Sequence, residues 1–326
     1  MSVVDAYDLV IFDLDGVVYV GDRPLPGAAE AIATLHKRQT AVAYATNNAS
    51  RRAGEVADLL TGMGIPADAT EVLTSAQAAA AALAERYPAE SAILVIGAEA
   101  LAAEVREVGL VPVASADAAP VAVVQGYGHD VGWAQLAEGC VAIRSGAAWY
   151  ATNADATLPS DRGPLPGNGS LVAALRTATG REPDVVIGKP APGLFTVAAA
   201  RHRRALVVGD RLDTDIEGAN RAGLDSVLVL TGVTTARMLL DAPAPLRPTY
   251  VASGLSTLDS ASRIPAPAAE VTVAGWTARL DNGRLTLTGD GVPLNGLVVL
   301  CAAAWSDRRP PAELDARALQ QLAELE

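Results

Sequence analysis

Short apolar runs rich in β-branched residues alternate along this chain with longer stretches whose apolar positions recur every third or fourth residue. A strand buried on both faces reads as a continuous apolar run, whereas a helix packed on one side keeps a polar stripe; the alternation therefore predicts a parallel sheet covered by helices. Strands are expected at Leu9 to Phe12, Ala41 to Ala45, Ile93 to Ile96, Val121 to Gln125, Ala148 to Ala151, Val185 to Ile187, Leu206 to Val208 and Val227 to Leu230. Between them, Gly27 to Arg38 carries Ala28, Ile32 and Leu35 at helical spacing, and Ser50 is placed to cap a helix from Arg51 to Leu60. Ser75 to Tyr87 is alanine-rich and stopped by Pro88.

The segment from Ser75 to Pro183 has strands and helices of its own and reads as a lobe inserted into an outer domain. It ends in a run of Asn, Asp, Gly and Pro from Thr152 to Gly169, either a binding loop or a surface excursion. After Thr249 to Val251 the pattern changes. A Pro/Ala linker, Ile264 to Ala269, leads to alternating strands joined by Asp281-Asn282-Gly283, a hairpin turn, and then to a helix around Leu297 to Trp305. The expected fold class is α/β, a doubly wound parallel-sheet (Rossmann-like) core with an inserted α/β cap domain and a small α+β C-terminal unit. The corresponding boundaries are 1–74 plus 184–262 for the core, 75–183 for the cap and 265–326 for the accessory unit. That last unit shows no nucleophile, metal cluster or phosphate loop placed to carry chemistry; an interaction module, a dimerisation element or a remnant of a cofactor-binding transferase all fit it.

Composition narrows the function. A net charge of −12 argues against a nucleic-acid partner, whose footprint is a basic patch. No run approaches the ~18 apolar residues of a membrane span, and the N-terminal segment has no basic stretch ahead of its apolar residues, as a secretory signal requires. Cys140 and Cys301 are too far apart in sequence for a disulfide framework or a zinc site, which suits a reducing compartment and a cytoplasmic protein. Of 25 basic residues only Lys37 and Lys189 are lysines, so each lysine stands against the chain's habit of using arginine.

Chemistry concentrates where strands end. Asp13 and Asp15 follow the first strand at a spacing that points both side chains the same way. Two such carboxylates repel unless a cation or proton separates them. A divalent metal would leave one as a nucleophile and the other as general acid and base; turn formation is the plain alternative. Thr46-Asn47-Asn48 offers a hydroxyl, carboxamides and turn amides to a phosphoryl group, or caps a helix. Gly188-Lys189-Pro190 presents a compact positive charge at a strand-to-helix turn. In Gly209-Asp210-Arg211-Leu212-Asp213-Thr214-Asp215-Ile216-Glu217, Thr214 and Glu217 match a capping box that would start a helix there. Asp210 is then placed to ligate a hard cation such as Mg²⁺ and Asp215 to hold its water shell; Asp213 reads as solvated and Arg211 as an ion-pair partner in the loop.

Taken in order, Asp13-Leu14-Asp15-Gly16, Thr46-Asn47-Asn48, Lys189, and Gly209-Asp210 with Asp215 resemble the four motifs of the haloacid-dehalogenase-like hydrolase superfamily, over about residues 5 to 260. The long insert, Gly16-Val17-Val18-Tyr19 and Pro166-Gly167-Asn168-Gly169 resemble its NagD-type branch with a large α/β cap. Within that branch, Thr157-Leu158-Pro159, Leu165 to Thr179 and Arg204 to Gly223 are similar to actinobacterial glycerol-3-phosphate phosphatases. The resemblance implies a phosphoric monoester hydrolase. Asp13 would become an aspartyl phosphate, Asp15 would protonate the leaving alcohol and activate water, and Asp13, the Asp15 backbone carbonyl and Asp210 would ligate Mg²⁺. Thr46, Asn47 or turn amides near Asn48, and Lys189 would hold phosphoryl oxygens. Asp15 separates phosphatases from dehalogenases, which lack that aspartate. The expected substrate is a small phosphorylated metabolite, glycerol 3-phosphate first and phosphoglycolate or a sugar phosphate next, with Asn153, Asp155 and Arg162 as specificity candidates, Arg162 alternatively pairing with Asp161. A homodimer through the cap is a further expectation. The non-enzymatic alternative is a receiver-like phospho-aspartate switch, which also combines a strand-end Asp, a hydroxyl, a Lys and an acidic pair.

Overall fold

The computed structural model describes residues 2–158, 162–307 and 311–325. The chain divides into two compact units, one of Met1–Tyr19, Pro24–Val42 and Arg201–Glu326 and the other of Val20–Arg23 and Ala43–Ala200.

In the first unit, strands run side by side in the order Ser262–Arg263, Tyr250–Ala252, Asp225–Val229, Ala205–Gly209 and Leu9–Phe12. All pair in parallel except Ser262–Arg263, which lies antiparallel at the edge. Every residue of Leu9–Phe12 and Ala205–Gly209 is buried, as the unbroken apolar runs require. Phe12 stands opposite Val208 and Gly209 opposite Leu228, so the carboxyl ends of these strands line up. The helix Ala28–Lys37 buries the stripe Ala28, Ile32 and Leu35.

The same unit contains the antiparallel strands Glu270–Val273, Trp276–Asp281 and Arg284–Gly289, with Glu313–Leu314 added in parallel to the last. Asn282 and Gly283, both at positive φ, make the expected two-residue hairpin turn. The helix Pro293–Ala304 is buried at Leu294 and at every residue from Gly296 to Ala304. A helix without a polar stripe must be covered on several sides. Here one hydrophobic core joins it to Trp276, Leu285 and Leu287 of the sheet, to Ala318 and Leu322 of the helix Ala316–Ala323, and to Leu212, Ile216, Leu228, Leu239 and Leu240.

The second unit carries a parallel sheet ordered Val185–Val186, Ala148–Ala151, Ala122–Gln125, Ala92–Ile96 and Val111–Val113. Its faces pack separately. Ile93, Val124 and Tyr150 meet Ala76, Leu83 and Leu101 on one side, and Leu94, Val123 and Trp149 meet Ile143, Val172 and Leu175 on the other. The strand Ala41–Thr46 carries the chain into this unit, where Val72–Thr74 pairs with it in parallel, Thr46 opposite Thr74. Thr74 then caps the helix Ser75–Arg86 in a capping box with Gln77.

Several local expectations change. Val72–Thr74 and Val111–Val113 are strands of three residues, too short for periodicity to reveal, and the second carries Pro112 at a sheet edge. The helix expected from Arg51 runs Ala53–Gly62, because Ser50 does not cap it. The Ser50 amide and hydroxyl instead donate to Asn48 Oδ1, at 2.8 and 2.7 Å, and the Arg52 amide is taken by Glu55. The Asn/Gly/Pro run holds a small antiparallel hairpin, Thr157–Leu158 with Leu165–Pro166, while Pro159 and Asp161 lie outside the described residues. Cys140 and Cys301 are free thiols, and among the described residues no helix is long and apolar enough to cross a membrane.

Candidate active site

The first unit builds an acidic centre where its strands end. Asp13 follows Phe12, and its amide donates to the Val208 carbonyl at 2.9 Å, which extends the parallel ladder one residue past the strand. The chain then turns sharply: the amides of Val17, Val18 and Tyr19 gather on the Leu14 carbonyl and the Gly16 amide donates to the Tyr19 carbonyl. Asp15 sits half-buried within that turn. Asp210 follows Gly209 and is buried, as is Asp215. Carboxylate oxygens of Asp13, Asp210 and Asp215 lie within 4.8 Å of one another. At an effective dielectric of about 20, two ionised groups at that spacing repel by roughly 3 kcal/mol.

Local structure offsets part of that repulsion. The Val233 amide donates to Asp210 Oδ2 at 2.7 Å and the Arg211 amide to Asp215 Oδ2 at 3.2 Å. The Thr231 hydroxyl donates to the Gly16 carbonyl at 2.7 Å, tying the turn after Asp225–Val229 to the turn after Leu9–Phe12. Glycines line the carboxylates because nothing larger fits: a Cβ at Gly232 would stand 1.9 Å from Asp210 Oδ2, and one at Gly16 would stand 2.7 Å from it. The donors are all hard oxygens with no histidine or cysteine among them, the set a divalent cation of the Mg²⁺ type takes.

Two expectations for this loop divide. Arg211 pairs with Asp213 through two hydrogen bonds of 3.1 and 3.0 Å, and Asp213 is largely exposed. The capping box does not form. A single π-type turn, Leu212–Ile216, holds Asp215, the α-helix begins at Glu217, and the Glu217 carboxylate bonds Arg221 one turn on. That turn lets Leu212 and Ile216 enter the core while Asp215 joins the other two acids.

The second unit positions the remaining candidates. Thr46 ends its strand, buried, and its hydroxyl accepts the Asn48 amide at 3.0 Å. Lys189 is only 3% exposed, and its Nζ donates to the Ala45 carbonyl at 3.0 Å. Asn47 fixes the lysine's backbone: its Oδ1 accepts the Lys189 amide at 2.8 Å, and its Nδ2 donates to the Lys189 carbonyl and to Asp155 Oδ2, both at 3.0 Å. The Asn47 carboxamide, expected as a phosphoryl donor, has both its N–H groups committed in this way and serves as a clasp. Asn48 Oδ1 is likewise committed to Ser50.

Asn153 extends the clasp. Buried, it donates to the Asn47 carbonyl at 2.7 Å and accepts the Asp155 amide, so this specificity candidate and Asp155 belong to the frame around Lys189. Arg162 lies exposed beside the hairpin. Two further side chains complete the frame: the Ser75 hydroxyl, which no motif marked, donates to the Asn47 carbonyl, and Asn168, from the Pro166-Gly167-Asn168-Gly169 run, donates to the Asn153 carbonyl. Thr231, Gly232 and Val233 were also missed, although they follow a strand of the same sheet as Asp13 and Asp210 and that position was the available signal.

Residues 10–111 match the haloacid dehalogenase-like hydrolase family, 186–258 match a HAD-hydrolase-like family, and 273–325 match a GCN5-related N-acetyltransferase like domain. The chain is 48% identical over 292 residues to the D-glycerol 3-phosphate phosphatase of Mycobacterium tuberculosis, covering 89% of this chain and 81% of that one. It is 35% identical to an acid sugar phosphatase of Staphylococcus saprophyticus, over 77% of this chain and 96% of that one. The solved structure of a glycerol phosphate phosphatase from M. tuberculosis in complex with magnesium superposes with a TM-score of 0.92 at 44% identity, covering 100% of this chain and 99% of the other.

Proposed function

The chain belongs to the haloacid dehalogenase-like hydrolases, and from that premise we propose that it is a Mg²⁺-dependent phosphatase acting on a small phosphomonoester, glycerol 3-phosphate first, through an aspartyl phosphate. One observation carries the reading: the carboxylates of Asp13, Asp210 and Asp215 within 4.8 Å of one another, with Asp15 two residues beyond the first.

The proposed residue roles follow from that centre. Asp13, the Asp15 backbone carbonyl and Asp210 hold the cation, with Asp215 fixing its water. Bound Mg²⁺ would neutralise charge on the phosphoryl oxygens and on Asp13. An Asp13 oxygen forms a bond to phosphorus as the ester P–O bond breaks, and Asp15 gives its proton to the departing alcohol. Asp15 then takes a proton from water, whose oxygen bonds phosphorus as the bond to Asp13 breaks and inorganic phosphate leaves. Thr46, turn amides at Asn47 and Asn48, and Lys189 hold the phosphoryl oxygens. Little covalent machinery is needed beyond positioning and charge. A general acid and base beside the nucleophile speeds loss of the acyl phosphate, which a receiver-like switch must preserve.

The same reading assigns 1–74 plus 184–262 as hydrolase core, 75–183 as cap and 265–326 as accessory unit, with Asp155 and Arg162 the side chains to vary for substrate choice. It takes the protein as cytoplasmic, supported by its free thiols. It also takes it as a homodimer through the cap, supported by Trp133, which is 84% exposed on the helix Trp133–Arg144 and tested by sedimentation velocity. A phosphate-release screen over phosphorylated metabolites, with and without chelator, tests the function. Glycerol 3-phosphate is expected to give the highest kcat/KM, and chelation to abolish turnover. A sugar phosphate or phosphoglycolate turned over faster would displace the substrate assignment; turnover undiminished by chelator would overturn the metal role.

A further inference from the structure

We propose that Trp305 and the helix Pro293–Ala304 are positioning elements for the acidic centre, holding the two turns that carry and cradle its carboxylates and thereby setting cation affinity. The inference rests on the cation reading above.

The connection can be followed residue by residue within the first unit. Asp210 is gripped by the turn Thr231 to Thr234, through the Val233 amide on Oδ2 at 2.7 Å and the Thr234 amide on the Asp210 carbonyl at 3.2 Å. That turn runs directly into the helix Ala236–Leu240, capped by the Thr235 hydroxyl. The far end of this short helix is pinned from outside: the Trp305 indole N–H donates to the Leu240 carbonyl at 3.1 Å, a buried bond, and Arg247 covers the Trp305 ring at 4.7 Å. The orphan carbonyl at a helix end thus gets its partner from the residue that ends Pro293–Ala304. Ala236, Leu239 and Leu240 lie in one hydrophobic core with Leu297 to Ala304.

A second link is independent of the first. Leu212 and Ile216 flank Asp215 on its π-type turn, and both belong to that same core. The turn that cradles Asp210 and the turn that carries Asp215 therefore rest on one apolar surface, the first through the helix Ala236–Leu240, and the helix Pro293–Ala304 supplies much of it. Close-packed interiors transmit small displacements instead of absorbing them. The helix has little surface to offer a ligand of its own: its residues from Gly296 to Ala304 are buried, and Gln321 donates to the Pro293 carbonyl at its start. For a segment matching an acetyltransferase-like domain, this favours a supporting role over coenzyme binding.

Calorimetric titration of the full chain with Mg²⁺ alone tests the proposal on wild type, Trp305→Phe, Trp305→Ala and Arg317→Ala. The last variant removes a cation that stacks on the Trp276 ring at 5.1 Å and leaves the Trp305 bond to the Leu240 carbonyl in place. Direct partners of metal ligands cost about tenfold or more in affinity when lost, so Trp305→Phe, which acts through the helix Ala236–Leu240, is expected to weaken Mg²⁺ binding about threefold to tenfold. Its kcat at saturating Mg²⁺ should recover to near wild type. Arg317→Ala should lower the melting temperature with an unchanged Mg²⁺ constant. A Trp305→Phe protein that loses thermal stability but binds Mg²⁺ as wild type does would overturn the proposal, and it decides the matter should Trp305→Ala fail to fold. Wild type that binds no Mg²⁺ would instead overturn the cation reading, and the inference with it.

Discussion

Asp210 shows how tightly single residues are set at this centre. Gly232 approaches its carboxylate so closely that a methyl group would overlap it, while the next amide in the chain donates to the same oxygen. Gly232→Ala is therefore expected to displace the carboxylate and weaken Mg²⁺ binding by about tenfold or more, measured by calorimetry; unchanged affinity would mean the cradle is dispensable. Asn47→Ala would strip partners from the Lys189 amide and carbonyl and from Asp155. Leaving buried groups unpaired costs about 1–3 kcal/mol each, so denaturant unfolding should show a loss of that order with a fall in kcat/KM. At this scale Asp13 and Asp210, whose carboxylates the structure brings together, were legible because charged residues after strands are conspicuous. Val233 was not, because it acts through its backbone amide, which every residue type except proline offers. The bonds of the Asn47 carboxamide to Lys189 and Asp155 were not legible, since a carboxamide looks the same in sequence whether it faces a ligand or clasps a loop.

Elements were legible where local chemistry and tertiary packing agree. The Asn282-Gly283 turn needs positive φ at both residues, and the flanking strands pair with Asp281 opposite Arg284 as a two-residue loop demands. Gly283→Ala, at a φ of 82°, should destabilise the protein by about 1 kcal/mol or more, seen as a lower melting temperature; an unaffected melt would show that the turn does not need glycine. Local rules failed where packing outbid them. Thr214 and Glu217 have capping-box spacing, but burying Leu212 and Ile216 beside Asp215 requires a wider turn, and Glu217 finds Arg221 instead. Ser50 lost its capping role to the Asx turn that Asn48 makes with it.

For the molecule as a whole, the C-terminal segment is small enough in sequence to need the rest of the protein, but no local pattern names Leu228 and Leu239 as the residues with which it shares its apolar core. Contacts between distant segments leave no local pattern. Long-range ion pairing has the same character: Arg38 makes two hydrogen bonds to Asp259, which also accepts from the Ser2 hydroxyl. Those partners hold the Asp259 carboxyl below its ordinary value of 3.8. A group depressed by folding contributes stability that is complete above the ordinary value and lost as pH falls through the folded one. Wild type should therefore melt higher than Asp259→Asn at pH 6, with the difference shrinking as pH falls below the ordinary value of 3.8 and through the folded one. A gap that persists in strong acid would assign the effect to packing.

The division of labour between Asp13 and Asp15 is the centre of the account, and acid-quench trapping with ³²P-labelled glycerol 3-phosphate tests it most directly. Wild type quenched during turnover is expected to carry label on Asp13, located by peptide mapping. Asp13→Asn should carry none and release no phosphate, and Asp15→Asn should turn over far more slowly. Full turnover by Asp13→Asn, or label found on another residue, would contradict the account.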